Sequence, residues 1–211
     1  MKICFLGDSI TQGAAGSVPE KNYVSLVGEI LGCEALNFGV GGTRIARQTS
    51  PFVYPEFDED YIIRAEKMPK DADLVFVFGG TNDYGHGDAE LGCDGDRTHY
   101  TFYGALTLLI EYLIDKYGKE KLTFILPLPR YNQSSVYGDG FKKTASPTLP
   151  EYIAVERAVL DKFGIPYLDL SADFPEPNTN EPTALFSDGL HPTDKGHRML
   201  AERIAEYIKT K

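Results

Sequence analysis

Residues 2–11, KICFLGDSIT, join a short apolar run to a polar turn and decide the fold class. The run at residues 2–6 is short and apolar, as expected of a strand that is buried on both faces of a sheet. The turn GDSIT follows at once, and a helical pattern begins near residue 23. A buried strand that leads through a turn towards a helix is typical of a parallel α/β sheet.

The rest of the chain repeats this alternation. Further strands are predicted at residues 35–38, 74–78, 122–126 and 165–168. Helices are predicted at about residues 23–31, 60–68, 102–117, 150–163 and 194–209, with Gly118 and Gly164 as stop signals. The pattern predicts an α/β fold with a five-stranded parallel sheet and helices on both faces.

Length and charge narrow the class of protein. The 211 residues suit one domain, so we predict a single domain over residues 1–211. Lys and Arg number 21 against 31 Asp and Glu, and the net charge of −10 disfavours binding to nucleic acid or to an anionic membrane. The sequence does not predict the oligomeric state.

The N-terminal segment and the cysteines favour a cytoplasmic location. The first apolar run is interrupted at Asp8, too early for a secretory signal or a membrane span, provided that Met1 is native. Cys4, Cys33 and Cys93 are odd in number and form no CxxC pair, which suits a reducing compartment. Cys4 lies in an apolar run and is predicted to be in the core.

Unusual residues gather where the predicted strands end. The segments that follow four of the strands are GDSIT, NFGVGG, GGTND and PLPR. Open α/β sheets bind ligands at the carboxyl ends of their strands, so we expect a functional site at this edge.

Ser9 in the first of these segments is a candidate nucleophile. A serine on a tight strand-to-helix turn can project its hydroxyl beyond the sheet, and the N-terminus of the next helix favours developing negative charge. The alternative is structural: Asp8 and Ser9 can cap or close an ordinary turn.

Asp188 and His191, in the segment DGLHP, are candidates for the other two members of a triad. A serine nucleophile needs a base, and a histidine base needs a carboxylate that fixes its tautomer. Three residues apart in a turn, the two side chains can make that contact. The alternative is a solvated turn that caps the last helix.

Two glycine-containing loops can supply donors to an oxyanion. Residues 37–43 (NFGVGGT) follow the second strand, where glycines let a backbone N–H approach a substrate closely. Residues 79–83 (GGTND) follow the third strand, and Asn82 can offer its side-chain amide. A tight glycine turn and an Asx-turn are the structural alternatives.

Together, GDSIT, NFGVGGT, GGTND and DGLHP resemble the four sequence blocks of the SGNH (GDSL-like) hydrolases, in the same order and over nearly the whole chain. The resemblance implies a flavodoxin-like three-layer α/β/α sandwich, no metal and no organic cofactor. It assigns catalytic roles to Ser9, Gly42, Asn82, Asp188 and His191. Gly42 is chosen because the family's glycine lies five positions after the block's asparagine, here Asn37, with Gly41 as the alternative. Ile10 stands where the family name implies leucine.

Two long connections, residues 84–101 and 130–147, are predicted as binding loops, with flexible insertions as the alternative. His86 and His99 lie in the first among four acidic residues, a composition that could hold a cation, although a solvated acidic loop is favoured. Arg44 and Arg130 could reach a substrate or form surface salt bridges. His197 is expected to pack in the last helix.

The substrate class is inferred from side chains near these loops. Tyrosines suit a pocket that stacks on a sugar, and five occur in or beside the loops: Tyr84, Tyr100, Tyr103, Tyr131 and Tyr137. We therefore expect a serine esterase that removes acetyl groups from carbohydrate or cleaves similar small O-acyl esters. A lysophospholipase or thioesterase is the first alternative. A non-catalytic α/β module that binds phosphate or nucleotide is the second, although neither GxxxxGK[ST] nor GxGxxG is present.

Overall fold

A computed structural model gives the structure of the protein and describes residues 1–50 and 55–211. The strands are β1 (Lys2–Gly7), β2 (Glu34–Gly39), β3 (Leu74–Phe78), β4 (Leu122–Ile125) and β5 (Tyr167–Leu168). The helices are α1 (Ser9–Gln12), α2 (Tyr23–Leu31), α3 (Tyr61–Glu66), α4 (Thr81–Gly85), α5 (Phe102–Tyr117), α6 (Leu149–Phe163) and α7 (Asp194–Lys209). Three short 3₁₀ helices occupy Pro19–Lys21, Pro55–Asp58 and Lys119–Lys121.

The five strands form one parallel sheet in the order β2-β1-β3-β4-β5. This is the strand order of flavodoxin-like folds, in which ligands bind where the order reverses, between β1 and β3. The predicted fold class is confirmed. The fifth strand is shorter than predicted, with two residues instead of four, because Pro166 has no N–H to donate to the ladder and only its carbonyl accepts, from Phe124 N–H.

Helices cover both faces of the sheet, so the fold has three layers. Successive residues of β1 and β3 point to opposite faces, as strand geometry requires. One face packs against α3, α5 and α6, and the other packs against α2 and α7. The first core includes Cys4, Leu6, Val75 and Val77, and the second includes Ile3, Phe5, Phe76 and Phe78.

Local signals set the ends of the long helices. Asn22, Asp60, Thr101 and Thr193 cap the N-termini of α2, α3, α5 and α7 with their side chains. The predicted stop signals are confirmed: α5 ends at Gly118 and α6 ends at Gly164, both with positive φ. In the described part of the chain, no helix is both long enough and apolar enough to cross a membrane.

Two short helices, α1 and α4, are absent from the sequence prediction. They follow β1 and β3 directly and have four and five residues, too few to show a helical period. Asp8 caps α1, and Gly13 ends it in the left-handed region. Gly80, with φ of 100°, is the N-cap residue of α4. Both helices lie at the carboxyl edge of the sheet, where the candidate site residues were expected.

Candidate active site

A cavity of about 800 Å³ opens at the carboxyl ends of β1 and β2 and contains Ser9. Two sequence motifs contribute Ser9, Gly41 and Gly42 to its wall, and the long connections contribute three more residues. The remaining lining residues are Gln12, Ala14, Arg44, Gln48 and Ser50. The cavity size is within the range of small-molecule sites.

Ser9 is the first residue of α1, so its N–H has no acceptor within the helix. The carboxylate of Asp8 accepts a hydrogen bond from Ile10 N–H at 2.9 Å and fixes the turn before the helix. Gly39 allows α1 to lie directly against the end of β2, because a Cβ atom there would be 2.2 Å from Gln12 N. The turn therefore holds Ser9 in a defined place at the cavity.

His191 and Asp188 extend a hydrogen-bonded series from Ser9. Ser9 Oγ lies 2.9 Å from His191 Nε2, and His191 Nδ1 lies 2.7 Å from Asp188 Oδ2. The other Asp188 oxygen accepts from the backbone N–H of His191 at 2.7 Å and of Leu190 at 3.0 Å. Partial burial opposes ionisation of Asp188, but the hydrogen bonds from His191 outweigh it and lower the pKa of the carboxyl.

The two predicted oxyanion loops lie against each other. Asn82 is buried and its Nδ2 donates to Thr43 O at 3.0 Å, which leaves its second amide hydrogen for another acceptor. Gly41 N–H donates to Gln12 Oε1 at 2.9 Å. Gly42 has φ of 73°, and its N–H has no acceptor among the described residues. Within the described residues, the N–H of Gly41 is thus engaged and that of Gly42 is available to a substrate.

Arg64 is a site residue that sequence reasoning missed. It is buried on α3, and its guanidinium donates to Thr43 Oγ1 and Gly7 O at 2.5 Å each and also to Phe38 O. It thus connects the ends of β1 and β2 with the oxyanion loop. The signal in the sequence was an arginine on the apolar face of a helix, one turn from Tyr61.

Asp83 is a second missed residue. Its two carboxylate oxygens accept from the backbone N–H groups of Ile45 and Ala46 at 3.0 and 2.9 Å. Complete burial raises the pKa of Asp83 to about 6 despite these bonds, and burial raises the pKa of Asp8 to about 6 as well. Asp83 holds the segment after the oxyanion loop against α4.

Both long connections contribute to the cavity. His86 and Asp88 come from residues 84–101, and Phe141 comes from residues 130–147. The structure describes all five tyrosines that suggested a sugar-stacking pocket, and none of them lines this cavity, so its lining does not support that interpretation. Tyr84, for example, is buried, and its hydroxyl donates to the carbonyls of Asn132 and Ser135.

Three of the four acidic side chains near His86 and His99 are engaged separately. Asp88 accepts from Thr49 and Ser50, Asp94 pairs with Lys162, and Asp96 accepts from Thr101. In residues 1–50 and 55–211, no three His, Cys, Asp or Glu side chains are grouped so that they could hold a metal ion.

The arginines and His197 are buried. Arg44 lines the cavity and pairs with Asp58 at 3.0 Å, whereas Arg130 does not line it and pairs with Asp139. Surface salt bridges therefore do not explain either arginine. His197 stacks on Tyr23 of α2, and burial lowers the pKa of His197 to about 4. The prediction that His197 packs in the core is confirmed.

Comparison with known proteins gives one family. The model of the GDSL-like Lipase/Acylhydrolase family matches residues 5–199 of the chain. A search of the curated proteins finds no sequence that matches. A solved structure of a Lactobacillus plantarum protein is 27% identical, with a TM-score of 0.76, and the alignment covers 99% of this chain and 96% of that one.

Two further solved structures share the fold. The lipase/acylhydrolase from Enterococcus faecalis is 24% identical with a TM-score of 0.66, and the alignment covers 99% of this chain and 95% of that chain. The aryl esterase from M. smegmatis is 17% identical with a TM-score of 0.68, with 99% and 98% covered. At identities below 25%, these two similarities show a shared fold and nothing further.

Proposed function

Because the chain belongs to the GDSL-like lipase/acylhydrolase family, a family of ester hydrolases, we propose that it is a serine esterase that hydrolyses small O-acyl esters. Ser9 is the nucleophile, His191 the general base and Asp188 the acid of the triad. The observation that carries the proposal is the series from Ser9 Oγ to His191 Nε2 at 2.9 Å and from His191 Nδ1 to Asp188 at 2.7 Å.

In the first half of the reaction, the enzyme is acylated. His191 Nε2 takes the proton from Ser9 as Oγ forms a bond to the carbonyl carbon of the ester, and the carbonyl oxygen becomes an oxyanion. When the tetrahedral intermediate collapses, the bond to the alcohol oxygen breaks. His191 then gives its proton to the departing alcohol, and an acyl group stays on Ser9.

In the second half, water takes the place of the alcohol. His191 removes a proton from water as the water oxygen attacks the acyl carbon. When this second tetrahedral intermediate collapses, the bond between the acyl carbon and Ser9 Oγ breaks, and His191 returns the proton to Oγ. The products are the free acid and the regenerated enzyme. Asp188 holds the imidazole with its Nδ1 hydrogen towards the carboxylate and stabilises the imidazolium in both steps.

Three N–H donors are assigned to the oxyanion: Ser9 N–H, Gly42 N–H and the free amide hydrogen of Asn82. Donors that are fixed before the reaction stabilise the developing charge without reorganisation. Gly42 is preferred to Gly41 because Gly41 N–H is already bonded to Gln12. The contact between Asn82 and Thr43 keeps two of the assigned donors on adjoining segments.

For the substrate, we propose an O-acetylated or similarly O-acylated carbohydrate. The cavity of about 800 Å³ is larger than an acetyl group needs, and polar side chains that can meet hydroxyl groups line it. These side chains are Gln12, Gln48, Ser50 and Asp88. Phe141, which is 78% exposed at the cavity, favours the alternative of a more apolar lysophospholipid or thioester substrate.

The test of the proposed function is the hydrolysis of p-nitrophenyl acetate by the wild type, by Ser9→Ala and by Ser134→Ala. We expect Ser9→Ala to lower kcat by about 10⁵- to 10⁶-fold, because the nucleophile is removed. Ser134 is an exposed serine in residues 130–147, so Ser134→Ala controls for the substitution itself. Equal rates in the wild type and Ser9→Ala would overturn the proposal.

The substrate class needs a second comparison. The wild type is assayed with acetylated monosaccharides, with a lysophospholipid and with an acyl thioester at matched concentrations. A kcat/KM that is highest for the acetylated sugars supports the carbohydrate proposal. A higher value for either of the others selects that alternative.

A further inference from the structure

A second histidine–aspartate pair lies at the same cavity as Ser9. The ring of His86, just after α4, lines the cavity with Nε2 3.3 Å from Gly42 O. Its Nδ1 lies 3.6 Å from Asp139 Oδ2, within ion-pair distance. The ring therefore connects residues 130–147 with the glycine that we assign to the oxyanion.

Asp139 is itself held in place on its other side. Arg130, which is 5% exposed, pairs with Asp139 through Nη2, and its Nη1 lies 3.2 Å from Thr81 Oγ1. The backbone N–H of Asp139 donates to Gly85 O at 2.8 Å. Although burial opposes ionisation, the contact with His86 and the charge of Arg130 lower the pKa of Asp139, so the group is a carboxylate.

Close packing shows that this contact is built into the fold. A Cβ atom on Gly85 would be 2.4 Å from Asp139 Oδ2 and 3.0 Å from Arg130 Nη1. A Cβ atom on Gly138 would be 2.2 Å from Gly85 O. The absence of side chains at these two positions makes room for the carboxylate between α4 and residues 130–147.

The place of His86 matters because Gly42 needs anchoring. A glycine at positive φ has no Cβ atom to restrict it, so its neighbouring peptides can rotate unless other groups hold them. On one side, Gln12 fixes Gly41 N–H at 2.9 Å. On the other side, His86 meets Gly42 O. The peptide that carries Gly42 N–H lies between these two anchors.

We propose that His86 is a positioning residue for the oxyanion site: as an imidazolium it donates its Nε2–H to Gly42 O, which holds Gly42 N–H in place, and its Nδ1–H faces the carboxylate of Asp139, which orients the ring. The inference rests on the proposed function of Ser9. Because a fixed donor matters most where charge develops, the loss of His86 should lower kcat and change KM little.

The test compares the wild type, His86→Leu and His86→Gln in the hydrolysis of p-nitrophenyl acetate. Leucine removes the donor, whereas the side-chain amide of glutamine can replace Nε2–H. We expect His86→Leu to lower kcat by about 10- to 100-fold, less than the loss of a direct oxyanion donor, with KM within about twofold. His86→Gln should recover most of kcat. His99→Leu, in the same connection but outside the cavity lining, should have wild-type kcat.

The inference is overturned if kcat of His86→Leu lies within about twofold of the wild-type value or if only KM changes. Equal activities of His86→Gln and His86→Leu would also overturn it. If His86→Leu fails to fold, His86→Asn takes its place, because the shorter asparagine amide does not reach the Nε2 position. Equal kcat values for His86→Asn and His86→Gln would then overturn the inference. Ser9→Ala in the same assay separates the two proposals. Full activity of Ser9→Ala contradicts the proposed function. If Ser9→Ala loses activity and His86→Leu keeps it, only the inference about His86 is contradicted.

Discussion

At the scale of single residues, Phe141 is the large apolar side chain that residues 130–147 bring to the cavity, and it is 78% exposed. An aromatic ring there can pack against the group that leaves with the ester. We expect Phe141→Ala to raise KM for p-nitrophenyl esters by about 5- to 10-fold, because about 1 kcal/mol of ring contact is lost, with kcat unchanged. Steady-state kinetics check this.

Phe141→Tyr is the matched control, since it keeps the ring and adds only a hydroxyl. It should have the wild-type KM. A Phe141→Ala variant with unchanged KM and reduced kcat would contradict a role in binding.

Of the five catalytic candidates, Ser9 and Gly42 line the cavity, and hydrogen bonds join Ser9 to His191, His191 to Asp188, and Asn82 to Thr43. Their catalytic roles stay predictions. Each candidate follows a strand or precedes the last helix, so short stretches of sequence were informative about their position. The places of His86, Arg64 and Asp83 at the site could not be found in this way. Their contacts join residues 21 to 57 positions apart, and no local pattern records such distances.

At the scale of elements, the placement of α1 depends on Gly39 at the end of β2. A methyl group at this position would be 2.2 Å from Gln12 N and 2.5 Å from Thr11 C, both of them backbone atoms. We expect Gly39→Ala to cost about 1 to 3 kcal/mol in the free energy of unfolding and to lower kcat, because α1 and Ser9 must move. Urea denaturation and ester hydrolysis measure the two effects.

Gly32→Ala is a suitable comparison because a Cβ atom there meets nothing within 4 Å, although φ is +60°. It should cost about 1 kcal/mol from backbone strain alone and leave kcat unchanged. Wild-type kcat in Gly39→Ala would refute the proposed dependence of Ser9 on this contact.

Asp83 connects α4 with residues 45–46, and its pKa is raised to about 6 by burial. The folded state therefore favours the protonated form, so the stability from this group is present below about pH 4 and is lost as pH rises through about 6. The pKa of Asp8 is also raised to about 6, so Asp8 likewise stabilises the fold more at low pH than at neutral pH. A comparison with Asp83→Asn, which cannot titrate, isolates Asp83.

We expect the free energy of unfolding of the wild type minus that of Asp83→Asn to fall by roughly 1 to 3 kcal/mol between pH 4 and pH 7. Urea denaturation of both proteins at the two pH values gives this difference. A difference that stays constant, or that rises with pH, would show that burial does not raise the pKa of Asp83.

The long elements were predictable because each carries a periodic pattern and a boundary signal. The predicted bounds of α2, α5, α7 and β3 equal the observed bounds. The short helices α1 and α4 were not predictable, since four or five residues contain little more than one turn. β5 is short because it lies at the sheet edge and follows Pro166. The edge position follows from the strand order, which the sequence alone did not predict.

At the scale of the whole molecule, helices pack on both faces of one sheet and give two cores that share its strands. The single domain over residues 1–211 stays a prediction. We expect one cooperative thermal transition in which the calorimetric and van't Hoff enthalpies agree. Two resolved transitions, or a calorimetric enthalpy well above the van't Hoff value, would indicate two domains.

The net charge of −10 bears on the partners of the molecule. We still predict that the protein binds neither nucleic acid nor an anionic membrane, because both are negatively charged, like the protein. A neutral carbohydrate ester meets no such repulsion. This agrees with the proposed substrate class and is independent of the cavity lining.

The central claim is that Ser9 is the one nucleophile of an ester hydrolase. A fluorophosphonate tests it directly, because an activated serine oxygen attacks phosphorus, fluoride leaves, and a stable adduct remains on that residue. Peptide mass spectrometry should locate one adduct, on Ser9, and the fraction of activity lost should equal the fraction of Ser9 labelled. An adduct on another residue that accounts for the loss, or full activity with Ser9 fully labelled, would contradict the claim.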